Sequence, residues 1–274
     1  MQVSKLMPQA ELMRSEVFGL SRGRETILEG KYIDKLLSSS MTLPTDSIDE
    51  LFTWIDPSGG GMCSAYALVS MSQLQSGKYV IHGLSKDPNR HFLDEEAVTM
   101  NHFRAARTNA CTRKATFVQF CENNYGGAPT VTRILSYADL FKPVENMCES
   151  LVKPGVCTTQ ITKEEAVLKA QEEFAHCTIV FADNWFSTAK KPEEKEEIKK
   201  ELGAQLRRFR KQIKHKARGN FTYEYTGKEG LSGADDLAFG VFSCIYWMER
   251  YKVKKEHEKF LQLRASRGYR ASVT

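Results

Sequence analysis

The chain has 274 residues, 41% of them hydrophobic, which suffices to bury one full core and favours one large domain with appendages. Its 39 Lys and Arg against 34 Asp and Glu leave a modest net charge of +5. The apolar stretches are short and broken by charge, well under the roughly 18 consecutive apolar residues of a membrane span. The opening MQVSKLMPQAELMRSEVF lacks the basic, apolar and small-residue regions of a secretory signal, so an intracellular protein with no membrane partner is expected.

Residues 1–48 begin with helical spacing and dissolve into SSSMTLPTDS, which reads as a lead-in and linker. ELFTWID is a strand that stops at PSGGG, and SAYALVSMS and GKYVIHGLS supply two further strands at hairpin-like spacing, giving an antiparallel meander. Asp94 to Arg107 has helical spacing with an Asp at its start, KATFVQFCE is a short strand ending in an acid, and GGAPTVTRILSYADLF continues as a helix. HCTIVFAD is a fifth strand. The Lys/Glu run 190–200 reads as a solvated helix surface that continues into ELGAQLRRFRKQIKHKAR, where Phe209 and Ile213 stand four apart as anchors of one helix face. FTYEYTG is a strand, GKEGLSG a loop, and DDLAFGVFSCIYWMERY a helix with two acids at its first turn. A meander followed by strands alternating with helices predicts an α/β domain over 49–250, a mixed sheet with helices on both faces, followed by a basic tail at 251–274.

The seven cysteines (63, 111, 121, 148, 157, 177 and 244) form no CxxC, and the histidines form no HExxH, so neither a zinc site nor a disulfide framework is indicated. Acids at element ends are the better candidates. Asp56 closes the first strand ahead of glycines that let a ligand approach the backbone, Glu122 closes another ahead of Asn-Asn-Tyr-Gly-Gly, and Asp235 and Asp236 open a helix. Each alone is ordinary, since Asp-Pro-Ser-Gly is a common turn and Asp-Asp a common helix start. Together they supply the carboxylate oxygens that hard cations such as Mg²⁺ and Mn²⁺ require. Two such ions about 4 Å apart stabilise both the attacking and the leaving oxygen of a phosphodiester displacement. Asp183, at the expected end of the fifth strand, is a further acid of lower rank.

The ordered set WIDPSGGG, QFCENNYGG and SGADDLAFGVFSCIYW resembles the C-terminal nuclease domain of viral DNA-packaging terminase large subunits, of the herpesvirus type. The resemblance covers about residues 50–250 and implies an RNase H-like fold. It also implies two divalent cations held by Asp56, Glu122 and the Asp235/Asp236 pair, and endonucleolytic cleavage of concatemeric double-stranded viral DNA with low sequence specificity. The partners implied are DNA, the terminase ATPase motor, the small terminase subunit and the portal, in the nucleus of an infected cell. No GxxxxGK[ST] phosphate loop occurs, so a nuclease unit without its motor is expected. Other RNase H-like nucleases, acting on junctions or RNA:DNA hybrids, and a non-catalytic basic DNA-binding module remain alternatives.

DNA contact is expected from the acid-free run RRFRKQIKHKAR, through Arg207, Arg208, Arg210, Lys211, Lys214, Lys216 and Arg218, which suits salt-sensitive binding to phosphates. His215 and Lys228 are lesser candidates for approach to the scissile phosphate.

Overall fold

The computed structural model describes residues 24–57, 66–87, 95–124, 127–148, 153–189, 191–215, 221–227 and 235–270. Its strands are β1 (Arg24–Thr26), β2 (Ser40–Met41), β3 (Glu50–Asp56), β4 (Tyr66–Gln73), β5 (Tyr79–Asp87), β6 (Thr116–Cys121), β7 (Val144–Asn146), β8 (Ile179–Phe186), β9 (Arg210–His215) and β10 (Phe221–Thr226). The helices are α1 (Gly30–Ser38), α2 (Glu95–Thr108), α3 (Gly127–Ser136), α4 (Gln160–Ala175), α5 (Pro192–Arg208) and α6 (Asp236–Arg270).

Seven strands form one sheet in the order β2-β8-β5-β4-β3-β6-β7. β4 pairs antiparallel with β3 and β5, while the β3–β6, β6–β7, β5–β8 and β2–β8 pairs are parallel. The expected meander followed by parallel strands is therefore present. Strand residues alternate between faces, and in β3 Phe52 and Trp54 join one apolar cluster while Leu51 and Ile55 join another. The first cluster is covered by α1, α4, α5 and α6, and the second by α2 and α3. Burial on both faces explains why ELFTWID is apolar almost throughout.

The run 207–218 departs from expectation. α5 ends at Arg208, Phe209 turns extended at φ −65 and ψ 124, and β9 begins at Arg210. Phe209 is fully buried, edge-on to Phe242 with ring centroids 4.9 Å apart, while β9 pairs antiparallel with both β1 and β10. The distant pairing decides the outcome, so Phe209 and Ile213 do not share a helix face. Asp183 is likewise not at a strand end, because β8 continues to Phe186. The expected lead-in packs into the same body: Ile33 and Leu36 of α1 lie in the first cluster and β2 pairs with β8. α6 runs through position 250 without a break, and Asp94 lies outside the described residues. No helix among the described residues is long and apolar enough to cross a membrane.

The α2 side of the sheet contains a buried polar chain. His102 is bonded through Nε2 to Ser70 and through Nδ1 to Ser85, both at 2.7 Å, and Ser70 in turn bonds Thr53. His82, also buried, bonds Ser72 at 2.8 Å. Burial lowers the pKa of His102 to about 3 and that of His82 to about 4, below the ordinary value of 6.5, so both are neutral in the folded chain at neutral pH. The unfolded chain takes up these protons first, and their contribution is complete above pH 6.5 and is lost as pH falls toward 4 and 3. Each tenfold difference in proton affinity between folded and unfolded chain corresponds to about 1.4 kcal/mol. Unfolding free energy from urea titration should therefore drop by several kcal/mol between pH 7 and pH 4, with a shallower slope in His102→Gln.

Candidate active site

The acidic edge follows from strand register. β3 and β6 are parallel with Ile55 opposite Cys121, and the Glu122 amide donates to the Ile55 carbonyl at 3.0 Å. The next pair along is Asp56 and Glu122, on strands about 4.8 Å apart. Alternation places Asp56 on the face of Phe52 and Trp54, and Glu122 on the face of Val118 and Phe120, both of which pack toward α6.

α6 crosses this face antiparallel to β3. Tyr251 packs edge-on to Phe52, the Cys244 thiol donates to the Phe52 carbonyl at 3.4 Å, and Gly240 faces Trp54 and Val69. From Gly240 back to Asp236 the helix rises by about 6 Å, and from Trp54 on to Asp56 the strand advances by about the same. The start of α6 is thus level with the end of β3. Glu122, Asp235 and Asp236 are 6%, 5% and 4% exposed, and Asp56 is half-buried.

Neutral donors orient these acids. The Asn124 amide donates to Glu122 Oε1 at 3.1 Å and to the Thr158 carbonyl at 2.7 Å, and its Oδ1 accepts from the Thr158 amide at 3.0 Å. Asp235 Oδ2 accepts from the Thr226 hydroxyl at 3.0 Å and the Gly227 amide at 2.9 Å. The Leu237 and Ala238 amides donate to Gln205 Oε1 at 2.9 and 3.0 Å. Burial first, then the charges of Asp56 and Glu122, pushes the Cys121 thiol well above its ordinary value. Asn124, Thr226, Gly227 and Gln205 carry no motif of their own; only the adjacency of Asn124 to Glu122 in sequence hints at its part.

Carboxylate oxygens are the donors that a hard divalent cation prefers. Asp56, Glu122 and the Asp235/Asp236 pair fit such an ion in donor type. Among the described residues, no three His, Cys, Asp or Glu side chains are grouped closely enough to hold a metal ion. Asp183 stands apart on β8, where it accepts from the Thr42 hydroxyl, and hydrogen bonds from Ser40 and Thr42 hold its carboxyl below the usual range.

The basic candidates are divided. Arg207 pairs with Asp34 at the end of α5, Arg208 is half-buried beside it, and Arg210 and Lys211 face opposite ways on β9. Lys211 Nζ lies 4.1 Å from the Tyr223 ring centroid. Lys214 and His215 belong to β9, but their side chains lie outside the described residues, as do Lys216, Arg218 and Lys228 altogether.

No family model matches the chain. No curated protein matches it either. Among solved structures it is similar to the human cytomegalovirus terminase nuclease domain. The Mn-soaked, inhibitor-bound form has a TM-score of 0.59 at 12% identity, covering 81% of this chain and 95% of that one. A second structure of the same domain gives 0.55 at 13% identity, covering 80% and 94%. The fold is that of a terminase nuclease domain. The mixed seven-stranded sheet flanked by helices is thus RNase H-like, as the resemblance implied.

The end of β6 depends on Gly155. Its φ is +78, and a Cβ there would lie 2.4 Å from the Cys121 carbonyl oxygen and 2.9 Å from Val131. The neighbouring Val156 bonds Cys121 and Asn123 on either side of Glu122. Gly155→Ala should lower unfolding free energy by about 1–3 kcal/mol, measured by urea denaturation.

Proposed function

We propose that the chain is a metal-dependent endonuclease that cuts concatemeric double-stranded viral DNA during genome packaging. The placement of Asp56 beside Glu122, under the Asp235/Asp236 end of α6 and in a terminase-nuclease fold, carries this reading. Asp56, Glu122 and one or both of Asp235 and Asp236 would hold two divalent ions, Mg²⁺ or Mn²⁺. Bound there, the ions supply a nucleophile at neutral pH and stabilise charge on the attacking and leaving oxygens. The chain's own residues supply the rest. Asp56 and Glu122 fix two oxygen donors on adjacent rigid strands, and Asn124 sets the orientation of one carboxylate. The Thr226 and Gly227 bonds hold Asp235 without neutralising it.

On this reading the nuclease is herpes-type and works in the infected nucleus with an ATPase motor, a small terminase subunit and a portal. DNA phosphates approach the acids once cations have compensated their charge, and Arg207, Arg208, Arg210, Lys211, Lys214, Lys216 and Arg218 add sequence-independent attraction.

Asp56→Ala and Glu122→Ala should each lower Mn²⁺-dependent cleavage of linear duplex DNA by more than about a hundredfold, beyond the loss typical of a supporting residue. Circular dichroism should be unchanged. Full activity in both variants would sink the assignment, and preferential cleavage of four-way junctions or RNA:DNA hybrids would move it to another RNase H-like activity. If Lys211 contacts one phosphate, Lys211→Gln should flatten the dependence of log affinity on log salt by about 0.9, read by fluorescence anisotropy on duplex DNA.

A further inference from the structure

We propose that Gln205 is the positioning residue of the acidic pair at the start of α6, anchored by Glu201 and Lys86. This rests on the nuclease reading above. With Asp235 at the N-cap, the amides of the second and third helical residues are those that the cap's own side chain ordinarily satisfies. Here both, from Leu237 and Ala238, go to Gln205 Oε1, supplied by a different helix. The Asp235 carboxylate is thereby released from capping and turned to Thr226 and Gly227. A helix opening with two acids thus has its second and third amides satisfied from outside, not by the Asp235 carboxylate.

Gln205 is itself fixed. It is 0% exposed, and its Nε2 donates to Glu201 Oε1 at 3.2 Å. Glu201 pairs with Lys86, whose side chain is 10% exposed. Lys86 lies opposite Ala67, and Ala67 lies opposite Asp56, so Lys86 shares a row and a face with Asp56. The relay Lys86–Glu201–Gln205 therefore ties the strand row that carries Asp56 to the helix start that carries Asp235 and Asp236. Each link selects one chemistry: the amide accepts from two backbone groups and donates to a carboxylate, which in turn requires the lysine. A purely apolar residue at 205 would fill the space and leave two helix amides unbonded.

Mn²⁺ binding by calorimetry and single-turnover cleavage of duplex DNA, with Gln205→Met, Glu201→Leu and Glu201→Gln, test this. Gln205→Met should weaken Mn²⁺ binding about 10- to 100-fold, the range for residues that orient ligands. It should also slow cleavage at saturating DNA while leaving KM for DNA unchanged. Glu201→Leu removes the acceptor of Gln205 Nε2 and should weaken Mn²⁺ binding, whereas Glu201→Gln keeps an accepting oxygen and should retain most of the affinity. That contrast is readable even if Gln205→Met does not fold. Wild-type Mn²⁺ affinity and cleavage rate in Gln205→Met, with only a lowered melting temperature, would reduce Gln205 to a structural cap and overturn the proposal. So would a Glu201→Leu variant that binds Mn²⁺ as tightly as Glu201→Gln. Failure of the nuclease reading looks different: the wild-type chain would then bind no Mn²⁺ and cut no DNA, and both inferences would fall together.

Discussion

The close approach of α6 to the sheet at Gly240 sets the geometry of the acidic edge. A Cβ at that position would lie 2.6 Å from Val69 Cγ2, so any side chain there lifts the helix or displaces the strand. Without one, the helix settles low enough for the Cys244 thiol to reach the Phe52 and Val69 carbonyls. Phe239 then meets Trp54 edge-on with centroids 6.1 Å apart, which resists sliding along the strand. The longitudinal position of α6 is set by these contacts, and the level of Asp235 and Asp236 relative to Asp56 follows. A packing constraint in the apolar core thereby determines where charge meets charge at its rim.

Uncharged groups are among the partners of the acids at the rim. Asn124 reaches Glu122, and Thr226 and Gly227 reach Asp235, each fixing direction without cancelling charge. Replacing such donors with arginines would form tighter ion pairs but would consume the negative field that a divalent cation requires. Lys86 illustrates the alternative arrangement: its ammonium lies in the same row as Asp56 and is committed to Glu201 instead. This positive charge on the row is therefore paired with an acid outside it.

Much of this is legible in the chain because it is encoded locally. ELFTWID, YALVSMS and TFVQFC are short apolar runs bounded by turn residues, and each forms a strand. Asp56, Glu122 and the Asp-Asp pair are visible because each stands where such a run stops or a helix starts. The segment after Arg208 reads as a helix because RRFRKQIKHK contains neither glycine nor proline and places Phe209 and Ile213 at a helical interval. Its strand form is imposed by β1 and β10, the first of them nearly two hundred residues away in sequence. Nonlocal pairing overrides propensity there. Gln205 is invisible for the same reason, since one buried amide in a polar helix shows nothing of the helix start it serves.

The strand form changes how the basic residues and the acidic edge are related. On a helix, the basic residues would have formed one stripe independent of the acids. On a β-ribbon, Arg210 and Lys211 face opposite ways, and the last strand ends at Thr226, which with the following Gly227 holds Asp235. The ribbon is therefore joined to a carboxylate through the Thr226 hydroxyl and the Gly227 amide. A Cβ on Gly227 would lie 2.9 Å from the Cβ of Asp235 and 3.3 Å from Phe209, so the junction leaves little room for independent movement. Basic ribbon and acidic helix start are thus joined directly, with Phe209 packed against Phe242 on one side and Gly240 close against Val69 on the other.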